Sequence, residues 1–179
     1  MFQSIPDNLL GLMVGDWLDH KRRRHLAVLE ANTAHIVEGI AIERLTEPSP
    51  SILIPLMQAA VDEGRSELQG LWAALLANAM VDGGRKVRRD FFEAVKRMEP
   101  ADALILTVAS EIWPRVQGNT AAMASQIRDR GRQLGMSDND VQISIDALVA
   151  LRCFWLNSSN QPIVTAFGSA LLDACRPPA

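Results

Sequence analysis

The sequence predicts a mainly α-helical protein. An N-terminal helical bundle, residues 1–98, packs on a C-terminal winged-helix-like unit, residues 99–179, as one continuous core. Three observations carry this reading. Apolar residues recur at helical spacing almost throughout, and the period changes only once, at 153–164, where two short apolar runs flank a polar turn. Proline and glycine punctuation falls between the periodic segments rather than inside them. The 179 residues are 48% hydrophobic and 22% charged. That is ordinary globular usage, in a chain long enough to bury a core without disulfides or metals.

The first helix is expected over residues 16–44, where Leu18, Leu29, Ile36 and Ile40 keep to one stripe. The Thr46-Glu47-Pro48-Ser49-Pro50 stretch is its expected stop. A second helix starts near Ser51, with Ile52, Leu53, Leu56, Met57 and Ala60 as its buried face, and Gly64 interrupts it. The third carries Leu68, Leu71, Trp72, Leu75, Leu76 and Ala79 inside, and Asp82-Gly83-Gly84 turns the chain. A short helix with Phe91, Phe92, Val95 and Met98 follows.

Pro100 suits the first turn of the next helix, where Glu99 and Asp102 face the positive end of its dipole. Its apolar positions are Leu104, Ile105, Val108, Ile112 and Trp113, and Pro114 and Gly118 are expected to close it. Asn119 or Thr120 caps a helix with Ala122, Met123, Ile127 and Leu134 inside, stopped at Gly135. Ser137 opens another, with Asp138 and Asp140 in its first turn and Val141, Ile145, Leu148 and Leu151 as its stripe. Residues 153–156 and 162–165 then read as a hairpin, and Thr165 caps a last helix with Phe167, Leu171 and Leu172.

Residues 55–60, Asp62-Glu63 and Leu68–Ala79 together resemble the core motif of the bacterial abortive-infection alpha (Abi-alpha) family, a domain of unknown function with some members among phage-resistance systems. The likeness continues through Phe91 and Phe92, the Glu99–Leu106 stretch (with Glu99 where the family has serine, and Pro100 and Asp102 kept) and Val164-Thr165-Ala166-Phe167-Gly168. It implies a mostly helical fold and a defence role. It brings no catalytic residues, and Asp62, Glu63, Leu71, Trp72, Leu75, Leu76, Asp102, Thr165 and Gly168 enter as mainly structural positions of the motif.

Reactive chemistry finds little support in the residues. His20, His25 and His35 are spaced so that no two share a helical face, and there is no Cys-x-x-Cys, so neither a metal nor another cofactor is expected. Nucleophile elbows and phosphate loops are absent. Glu63 with Glu67, and Glu43 with Glu47, are carboxylates four apart on solvated faces. Asp62 and Glu63 can cap a helix or pair with Arg65, and acid–base catalysis by them is the lesser alternative. Cys153 and Cys175, both in apolar surroundings, read as free buried thiols. The N-terminus lacks the basic start of a signal peptide, and the longest uncharged stretch is broken by Asn157–Pro162, so a cytoplasmic protein without membrane insertion is expected.

Two basic clusters remain: His20–His25, and Arg85-Lys86-Val87-Arg88-Arg89 with Lys96 and Arg97 beyond. Arg22, Arg23, Arg85, Lys86, Arg88 and Arg89 are the candidate contacts for an anion or nucleic acid; the competing reading is a solvated face paired with Asp19, Asp82 or Asp90. The net charge of −3, and the acidic start of the helix a winged helix would place in the major groove, both disfavour DNA. The expectation is therefore a non-enzymatic interaction protein with a protein partner or a second copy of itself. A nucleic-acid-binding regulator is the alternative, and a hydrolase using Asp62 and Glu63 the third.

Overall fold

The computed structural model describes the backbone of residues 7–116 and 118–178, with side chains from residue 19 onward among these. The predicted stripe position Leu18 therefore lies outside the described side chains. Among the described residues, eight α-helices and one hairpin follow in the order α1 (Asp7–Val37), α2 (Pro50–Val61), α3 (Ser66–Met80), α4 (Arg89–Lys96), α5 (Pro100–Val116), α6 (Thr120–Gln133), α7 (Asp138–Ala150), β1 (Phe154–Leu156), β2 (Pro162–Val164) and α8 (Ala166–Ala174).

Helix α3 is the hub, and it packs against α1, α2, α4, α5 and α8. Its Leu-Trp-Ala-Ala-Leu-Leu-Ala sequence is apolar all round, which a helix tolerates only when neighbours cover every face. Every residue from Leu71 to Ala79 is buried, and Trp72 is 1% exposed. The buried side chains run as one contiguous cluster from Leu29 to Ala174, so the two halves share a core. The stripes expected on α4 (Phe91, Phe92, Val95 and Met98) and α7 (Val141, Ile145, Leu148 and Leu151) are buried in it.

Three local expectations are corrected. Helix α1 starts at Asp7 and ends at Val37, seven residues short of the predicted stop. A turn at Gly39 breaks it, and the chain beyond is held elsewhere: Leu45 bridges Val81, and the Thr46 N–H donates to the Met80 carbonyl at 2.7 Å. Ile40 of the predicted stripe thus lies outside the helix. Helix α5 continues through Pro114 to Val116. Proline cannot donate to the carbonyl four residues back, and that carbonyl, Ser110 O, instead accepts from the Arg176 guanidinium. Leu134, expected inside, is exposed, because it caps α6 just before the Gly135 reversal at φ +83°.

The same device occurs in α2. Pro55 lies inside that helix and leaves the Ser51 carbonyl without its usual donor; Arg89 Nε supplies one at 2.9 Å. At the C-terminal end, β1 and β2 pair antiparallel, Phe154 opposite Val164 and Leu156 opposite Pro162. The hairpin lies against α7 and α6.

Candidate functional site

Asp62 sits at the C-terminal end of α2, where helix carbonyls concentrate negative potential and a carboxylate is unfavourable by itself. The first basic cluster answers it. Arg22 Nε lies 2.8 Å from Asp62 Oδ1, and His25 Nδ1 is 2.9 Å from the Val61 carbonyl, an acceptor that makes this nitrogen the protonated one. Gly64 gives the His25 ring its space: a Cβ there would lie 3.2 Å from the ring. Of the basic run, His25 alone is half-buried, while Lys21, Arg22, Arg23 and Arg24 are exposed. Arg23 Nε donates to the Asp19 carbonyl at 3.3 Å.

Glu63, 8% exposed, is gripped side-on by Arg65, with Nε to Oε1 at 2.9 Å and Nη2 to Oε2 at 2.8 Å. The Arg65 backbone N–H adds a third bond at 2.8 Å. Burial pushes the Glu63 carboxyl up, but the Arg65 hydrogen bonds and charge outweigh it and hold it below its ordinary value. Arg65 also reaches Glu99 at 2.9 Å, and the Glu99 N–H donates to Asp102 at the start of α5. Asp62, Glu63 and Asp102 thus tie α1, α2, α3 and α5 together. A general acid needs a raised pKa, and Glu63 is shifted the other way.

Beside this network, α2, α3 and α4 leave a groove of about 410 Å³ bordered by Gln58, Asp62, Trp72, Phe92 and Lys96. Trp72 and Phe92 meet at 6.2 Å between ring centres. The Trp72 indole N–H is the one buried side-chain donor among the described residues without an acceptor.

The six basic candidates do not form one surface. Arg22 is bound at the C-terminal end of α2 and Arg89 at its N-terminal turn, and a helix of 12 residues separates such ends by about 18 Å. Arg88 lies 3.8 Å from Asp90. Arg85 and Lys86 stand instead beside Arg44 and Arg176. Sequence reasoning missed those two, since each is tens of residues from the cluster and nothing local marks it. It also missed Asn78, whose side-chain amide is within hydrogen-bond distance of the carbonyls of Ala74, Ala174 and Arg176 and so ties the C-terminal segment to α3. An asparagine alone in an Ala-Leu helix was a readable sign of such a role.

At the start of α7, Ser137 and Asp140 close a capping box, and Arg132 of α6 holds Asp138 by two bonds of 2.7 Å. Those bonds lower the Asp138 pKa. Thr165 caps α8 by accepting from the Gly168 N–H at 2.8 Å, and its hydroxyl donates to the Arg152 carbonyl at 2.5 Å, with the Cys153 carbonyl at 3.1 Å. A Cβ on Gly168 would collide with that carbonyl, whose carbon lies 2.8 Å from its position. Both residues are explained by packing α8 onto the hairpin.

Among the described residues no three His, Cys, Asp or Glu side chains gather as a metal site, and no helix is long and apolar enough to cross a membrane. No curated protein and no solved structure matches the chain. The sequence model described as Abortive infection alpha matches residues 21–165, most of the chain and all of the network from Arg22 to Thr165. The chain belongs to the abortive infection alpha family.

Proposed function

We propose that this protein is a non-enzymatic, cytoplasmic component of phage defence that acts by binding another protein through its C-terminal unit. The family supplies the defence context. The observation that carries the binding mode is Trp155, 51% exposed on the hairpin, on a unit that also exposes Ile143 (65%) and Leu134 (44%). Large apolar side chains held in solvent on ordered elements favour a protein partner, and Trp is a frequent anchor of such interfaces. The Asp62 and Glu63 carboxylates are both committed to arginines, which favours a structural role over hydrolysis. The winged-helix reading is compatible with this mode. The first turn of α7, which would meet bases, is acidic and locked by Arg132, so the helix is poorly suited to a duplex.

The test is a pull-down from phage-challenged and unchallenged cells with wild-type protein and Trp155→Ser, alongside duplex titrations. The expected result is a protein partner captured by wild type and lost with Trp155→Ser at unchanged thermal stability. Duplex binding should be negligible at about 150 mM salt, since nucleic-acid affinity of electrostatic origin collapses with counterion competition. Sub-micromolar, salt-sensitive duplex binding at about that ionic strength would overturn the reading.

A further inference from the structure

At the C-terminal end of α3 the chain reverses through Asp82, Gly83 and Gly84, three consecutive residues at φ +50°, +74° and +68°. Gly84 lies so close to α3 that a Cβ would be 2.9 Å from the Ala79 carbonyl oxygen. This reversal delivers Arg85, Lys86 and Arg88 to the surface beside the C-terminal segment, which Asn78 and Arg176 tie down. The result is two adjoining recesses of about 450 and about 430 Å³, with Arg85 and Lys86 lining both.

The charges around these recesses are unbalanced. Of the residues lining them, Arg44, Arg85, Lys86, Arg88 and Arg176 are cationic and Asp82 and Asp173 are anionic, in a chain whose net charge is −3. Both carboxylates are already engaged: Arg44 takes Asp82 at 2.8 Å, and Arg176 takes Asp173 at 3.3 Å. Arg85 and Lys86 are left to both recesses, and Arg88, which lines the second, also lies 3.8 Å from Asp90. The walls include buried Val81 and Phe91, and apolar walls around a concave site focus potential instead of letting water disperse it. A solvated convex face would not do this.

We propose that the joined recesses bind a small phosphorylated anion, contacted by Arg85, Lys86 and Arg88. Each recess is in the size range of small-molecule sites. Arginine forks and a lysine point charge are the donors suited to phosphoryl oxygens. Asp82 and Asp173 line the recesses with these cations and Asp90 lies 3.8 Å from Arg88, and the three carboxylates would oppose a continuous phosphate backbone running past them. The site is separate from the hairpin surface and does not depend on the interaction reading.

The experiment is calorimetric titration of the full chain with inorganic pyrophosphate and, separately, with a short DNA duplex, at about 50 mM salt, where exposed charges are weakly screened. The probe should bind saturably. Affinity should fall at least about tenfold in Arg85→Gln/Lys86→Gln, as expected for losing two charge-assisted contacts, and change by less than about twofold in Arg22→Gln/Arg23→Gln. These are exposed positions, and thermal unfolding of each variant checks that it is folded. No saturable pyrophosphate binding up to about 5 mM would overturn the proposal, as would equal losses in the two double variants. Duplex binding without pyrophosphate binding would also overturn it, and would assign the recesses to nucleic acid.

Discussion

Helix α5 passes through Pro114 because Arg176 donates to the Ser110 carbonyl that the proline leaves unpaired. This predicts a coupling between two residues 62 positions apart. Arg176→Met keeps most of the stem but removes the donor. The bond is partly buried and charge-assisted, a class worth about 1.5–3 kcal/mol. The lower end is appropriate because the Arg176 side chain is 41% exposed and water can partly replace it, so the loss should be about 1.5 kcal/mol. For a chain of this size that lowers Tm by roughly 3–6 °C. Pro114→Ala restores a backbone N–H to Ser110 and makes the arginine's contribution redundant. In that background Arg176→Met should cost about 1 kcal/mol less, a difference that a double-mutant cycle from urea titrations resolves. Coupling within about 0.3 kcal/mol of zero would show that the proline and the arginine act independently, and that something else lets α5 continue.

Trp72→Ala should cost about 3–5 kcal/mol in denaturant titration, as for other buried large aromatics, and a loss below about 1 kcal/mol would make the motif a surface. Gly168→Ala forces a Cβ into the Cys153 backbone and should cost about 3 kcal/mol. Gly70→Ala, on the exposed side of α3 with nothing within 4 Å of the new methyl, should gain about 0.5–1 kcal/mol. Equal effects from the two glycines would contradict the placement of α8. The Glu63 carboxyl is held below its ordinary value of 4.5 when folded, so its pairing stabilises fully above about pH 4.5 and is lost as pH falls through the depressed value. Urea midpoints measured from pH 7 down to about 3 should fall more steeply in wild type than in Glu63→Gln, and parallel curves would remove Glu63 from the acid response.

Where one residue's identity decides the local structure, the sequence was readable. The Leu-Trp-Ala-Ala-Leu-Leu run could only be a core helix, Ser137 and Asp140 announce a cap, and two apolar runs about Asn157–Gln161 announce a hairpin. Where the decision lies with a distant partner, sequence reasoning failed. Pro114 looks like a stop until Arg176 is known to supply the missing donor. The end of α1 looks open until Val81 and Met80 are seen to capture residues 45–46. For the candidate site the division is the same. That Asp62 and Glu63 would be paired is legible, with Arg65 the partner in view two residues on; Arg22, 40 positions away from Asp62, is not.

The arginines of this chain show why a run of basic residues is weak evidence for a binding face. Arg89, inside the densest run, caps the carbonyl that Pro55 frees in α2. Arg22, inside the other run, neutralises a carboxylate at the opposite end of the same helix. Arg44, Arg65 and Arg132 each pin one element to another through a carboxylate. A guanidinium does such work well because its fork reaches carbonyls and carboxylates at the end of a long stem. Once each side chain with a structural partner is set aside, the ten Lys and Arg charges that made two clusters in one dimension reduce to a smaller set in three. Arg85 and Lys86 keep their place beside Arg88 because the Asp82–Gly84 reversal presents them to a concavity instead of to another helix. The same subtraction applies to the family motif. Leu71, Trp72, Leu75 and Leu76 fill the core, Asp102 starts a helix, and Thr165 and Gly168 seat α8 on the hairpin. Residues that do this much for the fold say little about function, so the informative positions are Arg85 and Lys86, which line both recesses, and exposed Trp155.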